Sequence, residues 1–154
     1  MRFRLATPAD FPALETLIIT SFGAITWFKE IDAQFGTLNG HDWHARWQQR
    51  LAKVFAEEMI LIGETDGGEI AAAATGTYDA KQCLGFVDLL AVNVAHQGQG
   101  LGREMLRAML NHFRTLGARH AHLDCLTSNE RGMKLYESEG WTPVTASMKW
   151  LTPL

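Results

Sequence analysis

Leu90-Ala91-Val92-Asn93-Val94-Ala95-His96-Gln97-Gly98-Gln99-Gly100-Leu101-Gly102 is the stretch on which the reading of this chain turns. An apolar run enters a glycine-rich turn. Beyond it Leu101, Met105, Leu106, Met109, Leu110 and Phe113 recur at helical spacing, so the turn opens a helix. Glycines permit positive φ and close approach of a ligand to the backbone. The first turn of a helix adds unpaired N–H groups and the positive end of its dipole, which together suit phosphate. No Lys-Ser/Thr follows the last glycine, so this is not a P-loop. The spacing falls one residue short of the dinucleotide fingerprint. What remains is Gln97-x-x-Gly100-x-Gly102, a pattern that taken alone is equally a bare structural turn.

Working outward, Arg2-Phe3-Arg4-Leu5 alternates as a short strand, and Thr7-Pro8 opens a helix carrying Leu14, Leu17 and Ile18. Residues 22–40 read as a helix end plus a loop. Trp43, Trp47, Leu51 and Val54 place a second amphipathic helix over 41–56. Asp66-Gly67-Gly68 between Met59–Ile62 and Ile70–Ala74 signals a hairpin. Further strands are expected over 86–94 and 121–125, a helix over 129–138, and two short strands within 141–151. An antiparallel region followed by a strand–helix–strand crossover predicts a mixed α/β (α+β) domain over residues 1–154, with one sheet and helices on its faces.

A second motif stands about 30 residues after the first: Asn129-x-x-Gly132-x-x-Leu135-Tyr136-x-x-x-Gly140-Trp141. With Gln97-x-x-Gly100-x-Gly102, Leu90-Ala91-Val92 and the opening Arg4–Asp10, it resembles the GCN5-related N-acetyltransferase (GNAT) superfamily over nearly the whole chain. Gly132 replaces a usual Ala, Trp141 a usual Phe, and Val94 stands where many members have Pro. The resemblance implies a mostly antiparallel central sheet with a splayed parallel strand pair. It also implies acetyl-CoA as the acyl donor. Leu90, Ala91 and Val92 would then hold the pantetheine arm by their backbone. Gln97, Gly98, Gln99, Gly100, Leu101, Gly102 and Arg103 would hold the pyrophosphate, and Asn129 would bond the arm. Tyr136 would protonate the leaving sulfur, and N–H groups near Val92 would stabilise the oxyanion.

Acetyl transfer to an amine needs a deprotonated amine, although an alkylammonium resembles lysine with a pKa near about 10. Asp88 interrupts the apolar run 86–94, and strand alternation predicts Phe86, Asp88, Leu90 and Val92 on one face. A carboxylate there is a candidate base, the start of a water relay, or a residue that only orients substrate. No activated nucleophile is evident, which favours direct attack over a covalent acyl-enzyme. Trp27 and Phe28, in an aromatic segment running to Trp47, are candidate acceptor contacts with Asp88 and His122, and a cationic amine could sit near Glu30 or Asp32. The same rings at helical spacing also suit a core.

Hydrophobic residues make up 47% of the 154 and charged residues 20%, enough apolar mass for a folded core. Net charge is −3 with no basic stripe, so nucleic acid is not an expected partner. No apolar run reaches membrane-spanning length, and the N-terminus lacks a signal peptide's apolar stretch, so a cytoplasmic protein is expected. Cys83 and Cys125 form no C-x-x-C pair. The pairs His41/His44 and His120/His122 come without a third ligand at metal spacing, so no metal site is expected. The expected function is N-acetylation of a primary amine on a small molecule or peptide; the alternative is a non-catalytic acetyl-CoA-binding module. The resemblance leaves a homodimer open.

Overall fold

The computed structural model describes residues 1–154. The chain divides into two compact units, Met1–Asp124 and Cys125–Leu154.

In the first unit, β1 (Arg2–Leu5) leads through a single 3-10 turn, Pro8–Asp10, into α1 (Phe11–Phe22). Thr7 precedes the turn, and the Asp10 carboxylate accepts from the Thr7 N–H at 2.7 Å. Then come α2 (Phe28–Phe35), α3 (Trp43–Glu57), β2 (Met59–Glu64), β3 (Ile70–Asp79), β4 (Leu84–Val92), α4 (Leu101–Leu116) and β5 (His120–Leu123). The sheet order is β1-β2-β3-β4-β5. Every neighbouring pair is antiparallel except β4 with β5, which is parallel. The mixed, mostly antiparallel sheet is the one the sequence leads to.

Side-chain direction sorts the helices. Ile60, Ile62, Ala73, Leu89 and Ala91 point to one face and bury with Leu14, Leu17 and Ile18 of α1 and Trp47, Leu51 and Val54 of α3. The opposite face meets α4: a Cβ on Gly85 would lie 2.6 Å from the Phe113 ring. Helices thus cover both faces. The α3 stripe falls on one side because Trp47, Leu51 and Val54 are spaced at three and four residues. The Asp42 side chain caps this helix by accepting from the Ala45 N–H at 2.8 Å.

Three expectations are corrected. Residues 22–40 hold a complete helix, α2, and not only a helix end plus loop. Its closing residue, Gly36, has φ +73, and the short helix is tied down by Asp32, which accepts from the Trp43 N–H and pairs with Arg46. β4 ends at Val92, because Val94–His96 turns as a 3-10 segment under the Asn93 side chain, which accepts from the Ala95 N–H. No strand forms in 141–151. There Val144, Met148 and Trp150 keep strand alternation but are 93%, 76% and 86% exposed. A period of two says which side chains share a face; it does not supply an edge to pair with. The second unit's one helix is α5 (Glu130–Ser138), closed by Gly140 at φ +79.

Candidate active site

A register shift in the middle of β4 organises the site. Thr75 faces Leu89 and the next residue, Gly76, faces Val87, so Asp88 is an extra residue on β4. The bulge breaks the predicted alternation. Phe86 pairs with Thr77, on the face of Thr75 and Ala73, while Leu90 pairs with Ala74 and Val92 with Ala72, on the α4 face. Asp88 therefore does not share a face with Leu90 and Val92. It turns toward α3, where its Oδ1 accepts from Arg50 Nη2 at 2.7 Å.

The bulge also sets which backbone groups are available. β5 pairs with β4 only from Leu84 to Val87. Beyond it, the Asn93 N–H donates to the Ala71 carbonyl at 2.8 Å. That bond fixes the phase: Ala91 turns its N–H and C=O, and Asn93 its N–H, toward β3, while Leu90 and Val92 turn theirs to the other edge. No strand of the sheet pairs there. The Val92 carbonyl on this edge accepts from Gln97 Nε2 at 3.2 Å, which ties the following loop to the strand end. Of the three strand residues expected to bind the pantetheine arm, Leu90 and Val92 have suitably directed N–H groups. Ala91 is corrected: its backbone serves β3 and its side chain is fully buried in the core.

The loop itself meets the requirements for a diphosphate. Gly98 has φ +80 and Gly100 φ +85, conformations that favour glycine. Nothing lies within 4 Å of where a Cβ would stand on either, so the space beside them is open. Gly100 caps α4, and its carbonyl accepts the N–H groups of Arg103 and Glu104 at 3.0 and 3.2 Å. The N–H groups of Leu101 and Gly102 precede the first that can find an intrahelical acceptor. Gln99 is exposed on the rim, and Arg103 adds a positive charge to the first turn. These residues fit the phosphates of a coenzyme A thioester.

Beside Asp88 stands a residue that the sequence reading missed. Glu58 ends α3 in an extended conformation and leads into β2. Its Oε2 is shut off from solvent without a hydrogen-bond partner, and so is the Oγ1 of the fully buried Thr75. Burial first, then the Asp88 carboxylate, pushes the Glu58 carboxyl up to about 7, against the opposing pull of the nearby Thr75 hydroxyl and Arg50. Thr75 is near enough to act on Glu58, but the two do not make a hydrogen bond of normal geometry. The only sequence signal was an acid abutting the apolar run Met59–Ile62, and nothing linear connects it to Asp88.

The acceptor-side expectations divide. Phe28 packs against the core and edges onto Trp47 at 5.7 Å, with Trp47 only 2% exposed. Trp27 lies 4.9 Å from Phe28 and is half-buried. Asp32 is committed to Arg46 and the Trp43 N–H, so it is not the site for a cationic amine; Glu30 is exposed. His122 pairs with Phe86 across β4–β5, ring centroids 4.7 Å apart, and is exposed on the face toward which Asp88 turns.

Within the second unit, Asn129 caps α5, its Oδ1 accepting from the Gly132 N–H at 3.0 Å. A Cβ on Gly132 would stand 2.6 Å from the Asn129 amide nitrogen, so the usual Ala would require that side chain to shift. Tyr136 packs edge-on to Trp141 at 6.1 Å. Burial, with a smaller effect of Cys125, pushes its phenol up to about 12, so it keeps its proton through neutrality.

The sequence profile of the acetyltransferase (GNAT) family matches residues 25–141. No curated protein sequence is significantly similar to the chain. Among solved structures, the tetramutant of the BH1408 protein from Bacillus halodurans is similar at 22% identity and TM-score 0.71, over 99% of this chain and 100% of that one. The ribosomal-protein-S18-alanine N-acetyltransferase of Escherichia coli is similar at 19% identity and TM-score 0.67, over 94% and 79%. The glucosamine-6-phosphate N-acetyltransferase of Arabidopsis thaliana is similar at 17% and 0.58, over 99% and 100%. At these identities the likeness is one of fold.

Proposed function

The chain belongs to the acetyltransferase (GNAT) family, and from that premise we propose that it transfers an acetyl group from acetyl-CoA to a primary amine of a small molecule or peptide, by direct attack. The observation that carries the reading is the strand edge of Leu90 and Val92, open to a ligand and running straight into the left-handed glycines of the α4 cap. A strand edge can bond an amide-bearing arm as a further strand would, and the helix cap can take the diphosphate at the arm's other end. Gln97 to Arg103 hold the phosphates, and the Leu90 and Val92 N–H groups hold the arm or the carbonyl oxygen as it gains charge. Trp27, Asp88 and His122 belong to the acceptor side. A carboxylate of the group beside the β4 bulge, Asp88 or its neighbour Glu58, takes a proton from the incoming ammonium. By its place in the family motif, Tyr136 gives a proton to the departing sulfur, a task suited to a phenol that is still protonated at neutral pH.

Thiol release from acetyl-CoA over a panel of amines tests the activity, and Tyr136→Phe tests the donor. The variant keeps the ring, so folding should survive. Turnover should fall by roughly 10- to 10³-fold, because the hydroxyl acts as charge builds on sulfur. The Michaelis constant for acetyl-CoA should hardly change. Tight acetyl-CoA binding with no thiol release for any amine would instead mark a binding module.

A further inference from the structure

Asp88 is the acid that the sequence offers as a base, yet its geometry counts against it. The Arg50 guanidinium bonds Oδ1 at 2.7 Å, and its cation also lies 5.0 Å from the centroid of the Trp47 ring. Arg50 is thereby held in place on a core side chain that is 2% exposed. The Asp88 Oδ1 is thus already taken up by a charged structural partner and is not open to an incoming ammonium.

Glu58 is differently placed. It stands eight residues after Arg50, at the end of the same helix, and leads into β2, where Ile60 faces Thr75. One of its carboxyl oxygens is out of solvent without a partner, and the fully buried Thr75 hydroxyl beside it is also unpartnered. Buried polar atoms are almost always satisfied. Two that are not, in one cluster, mark a place where a proton or a substrate N–H completes the set.

We infer that Glu58 is the group that takes the proton from the acceptor ammonium, with Asp88, held by Arg50, as the positioning residue beside it. The inference rests on the acetyl-transfer reading. The groups acting on Glu58 are Asp88 from β4, Arg50 from α3 and the neutral Thr75 hydroxyl from β3. Burial and the Asp88 anion hold the Glu58 proton to about neutrality, which makes its ionised form a far better acceptor than an ordinary carboxylate. The proton count closes. Glu58 takes one proton from the ammonium, and the freed lone pair forms the C–N bond at the thioester carbonyl as the C–S bond breaks. The departing thiolate takes up one proton as the acylated nitrogen loses one. Glu58 then sheds its proton to solvent. The sum is one ammonium and one thioester converted to one amide, one thiol and one proton.

The test is the pH dependence of kcat/KM for an amine that the wild type acetylates, in wild type, E58Q and D88N. The wild-type rate should rise with pH through neutrality. E58Q should lose that limb and fall by about 10²- to 10⁴-fold at pH 7. D88N should keep the limb, moved to lower pH because the repelling anion is gone, with a drop of about tenfold or less. An E58Q profile that keeps the limb, with a D88N profile that loses it, would overturn the inference in favour of Asp88. A wild type that acetylates no amine would instead bring down the acetyl-transfer reading and this inference with it. Carboxyl ¹³C titration adds a readout that needs no turnover. One signal should titrate near neutrality, vanish in E58Q and move down in D88N. A Glu58 carboxyl titrating in the ordinary range in the wild type would overturn the inference.

Discussion

The two halves of β4 make an instructive pair. Leu84–Val87 is paired on both edges, with β3 antiparallel and β5 parallel, and Gly85 lies directly under the Phe113 ring. Leu89–Val92 is paired with β3 alone. One extra residue separates them, and it carries the carboxylate of the site. The first half has a neighbouring strand on each edge. In the second, the groups on one edge are left for something else. Chemistry is placed where pairing stops, and the bulge both stops it and turns Asp88 toward Arg50 and Glu58.

The sharpest way to break the contrast is at its pivot. Gly76 lies opposite Val87, at the register shift, and a Cβ there would stand 2.1 Å from the Phe86 carbonyl oxygen and 3.1 Å from both Met109 and Phe113. The nearest obstacle is backbone of the neighbouring strand, which cannot swing away. Gly76→Ala should therefore destabilise the fold by about 3 kcal/mol, at the upper end of overpacking effects. Urea unfolding with an unchanged m-value measures it. A variant as stable as the wild type would mean that the two strands do not approach as described.

The second half should respond in binding more than in stability. Gly100 has φ +85 with open space beside it, so Gly100→Val meets no neighbour and strains only its own backbone, by about 1–2 kcal/mol. Acetyl-CoA affinity should nevertheless fall by at least about tenfold, since the side chain would occupy the phosphate's place at the helix cap. Calorimetry with acetyl-CoA decides it. Unchanged affinity would reduce the loop to a turn.

How much of this could be read in the sequence follows from what periodicity encodes. The helix stripe from Leu101 to Phe113, the Asp66-Gly67 hairpin and the glycine loop are local patterns, and each formed where its residues predicted. The bulge is not local. Alternation through Phe86, Asp88, Leu90 and Val92 is unbroken in the sequence, and only the pairing of Thr75 with Leu89 and Gly76 with Val87 exposes the extra residue. Glu58 was hidden for the same reason: the residues that give it meaning, Asp88 and Thr75, reach it from other strands. The short helix α2 was obscured by the glycines that flank it, and what holds it, Asp32 with Arg46 and the Trp43 N–H, is again tertiary. Val144 to Trp150 erred the other way, with a clean alternation but no strand.

The smallest expected effect isolates the proton at the bulge without any substrate. The Glu58 carboxyl titrates near 7 in the folded chain against 4.5 ordinarily. Between those values the folded state holds a proton that the unfolded state has lost, so the stability contributed by Glu58 falls as pH rises through this window and is constant above it. A shift of that size is nominally about 3 kcal/mol. Water reaching the half-buried helix end should leave about 1 kcal/mol of it. The carboxylates held below their usual range, Asp10, Asp32, Glu64 and Asp79, act in the opposite sense and in another window, since their contribution is lost only as pH falls below about 4. Every other titratable group is common to the wild type and E58Q, so its contribution cancels in the difference. Urea midpoints for the two chains between about pH 5 and 8 should therefore diverge, with E58Q gaining about 1 kcal/mol relative to the wild type by neutrality. Parallel curves would show that Glu58 ionises as an ordinary carboxylate, and the second half of β4 would then differ from the first in pairing but not in proton affinity.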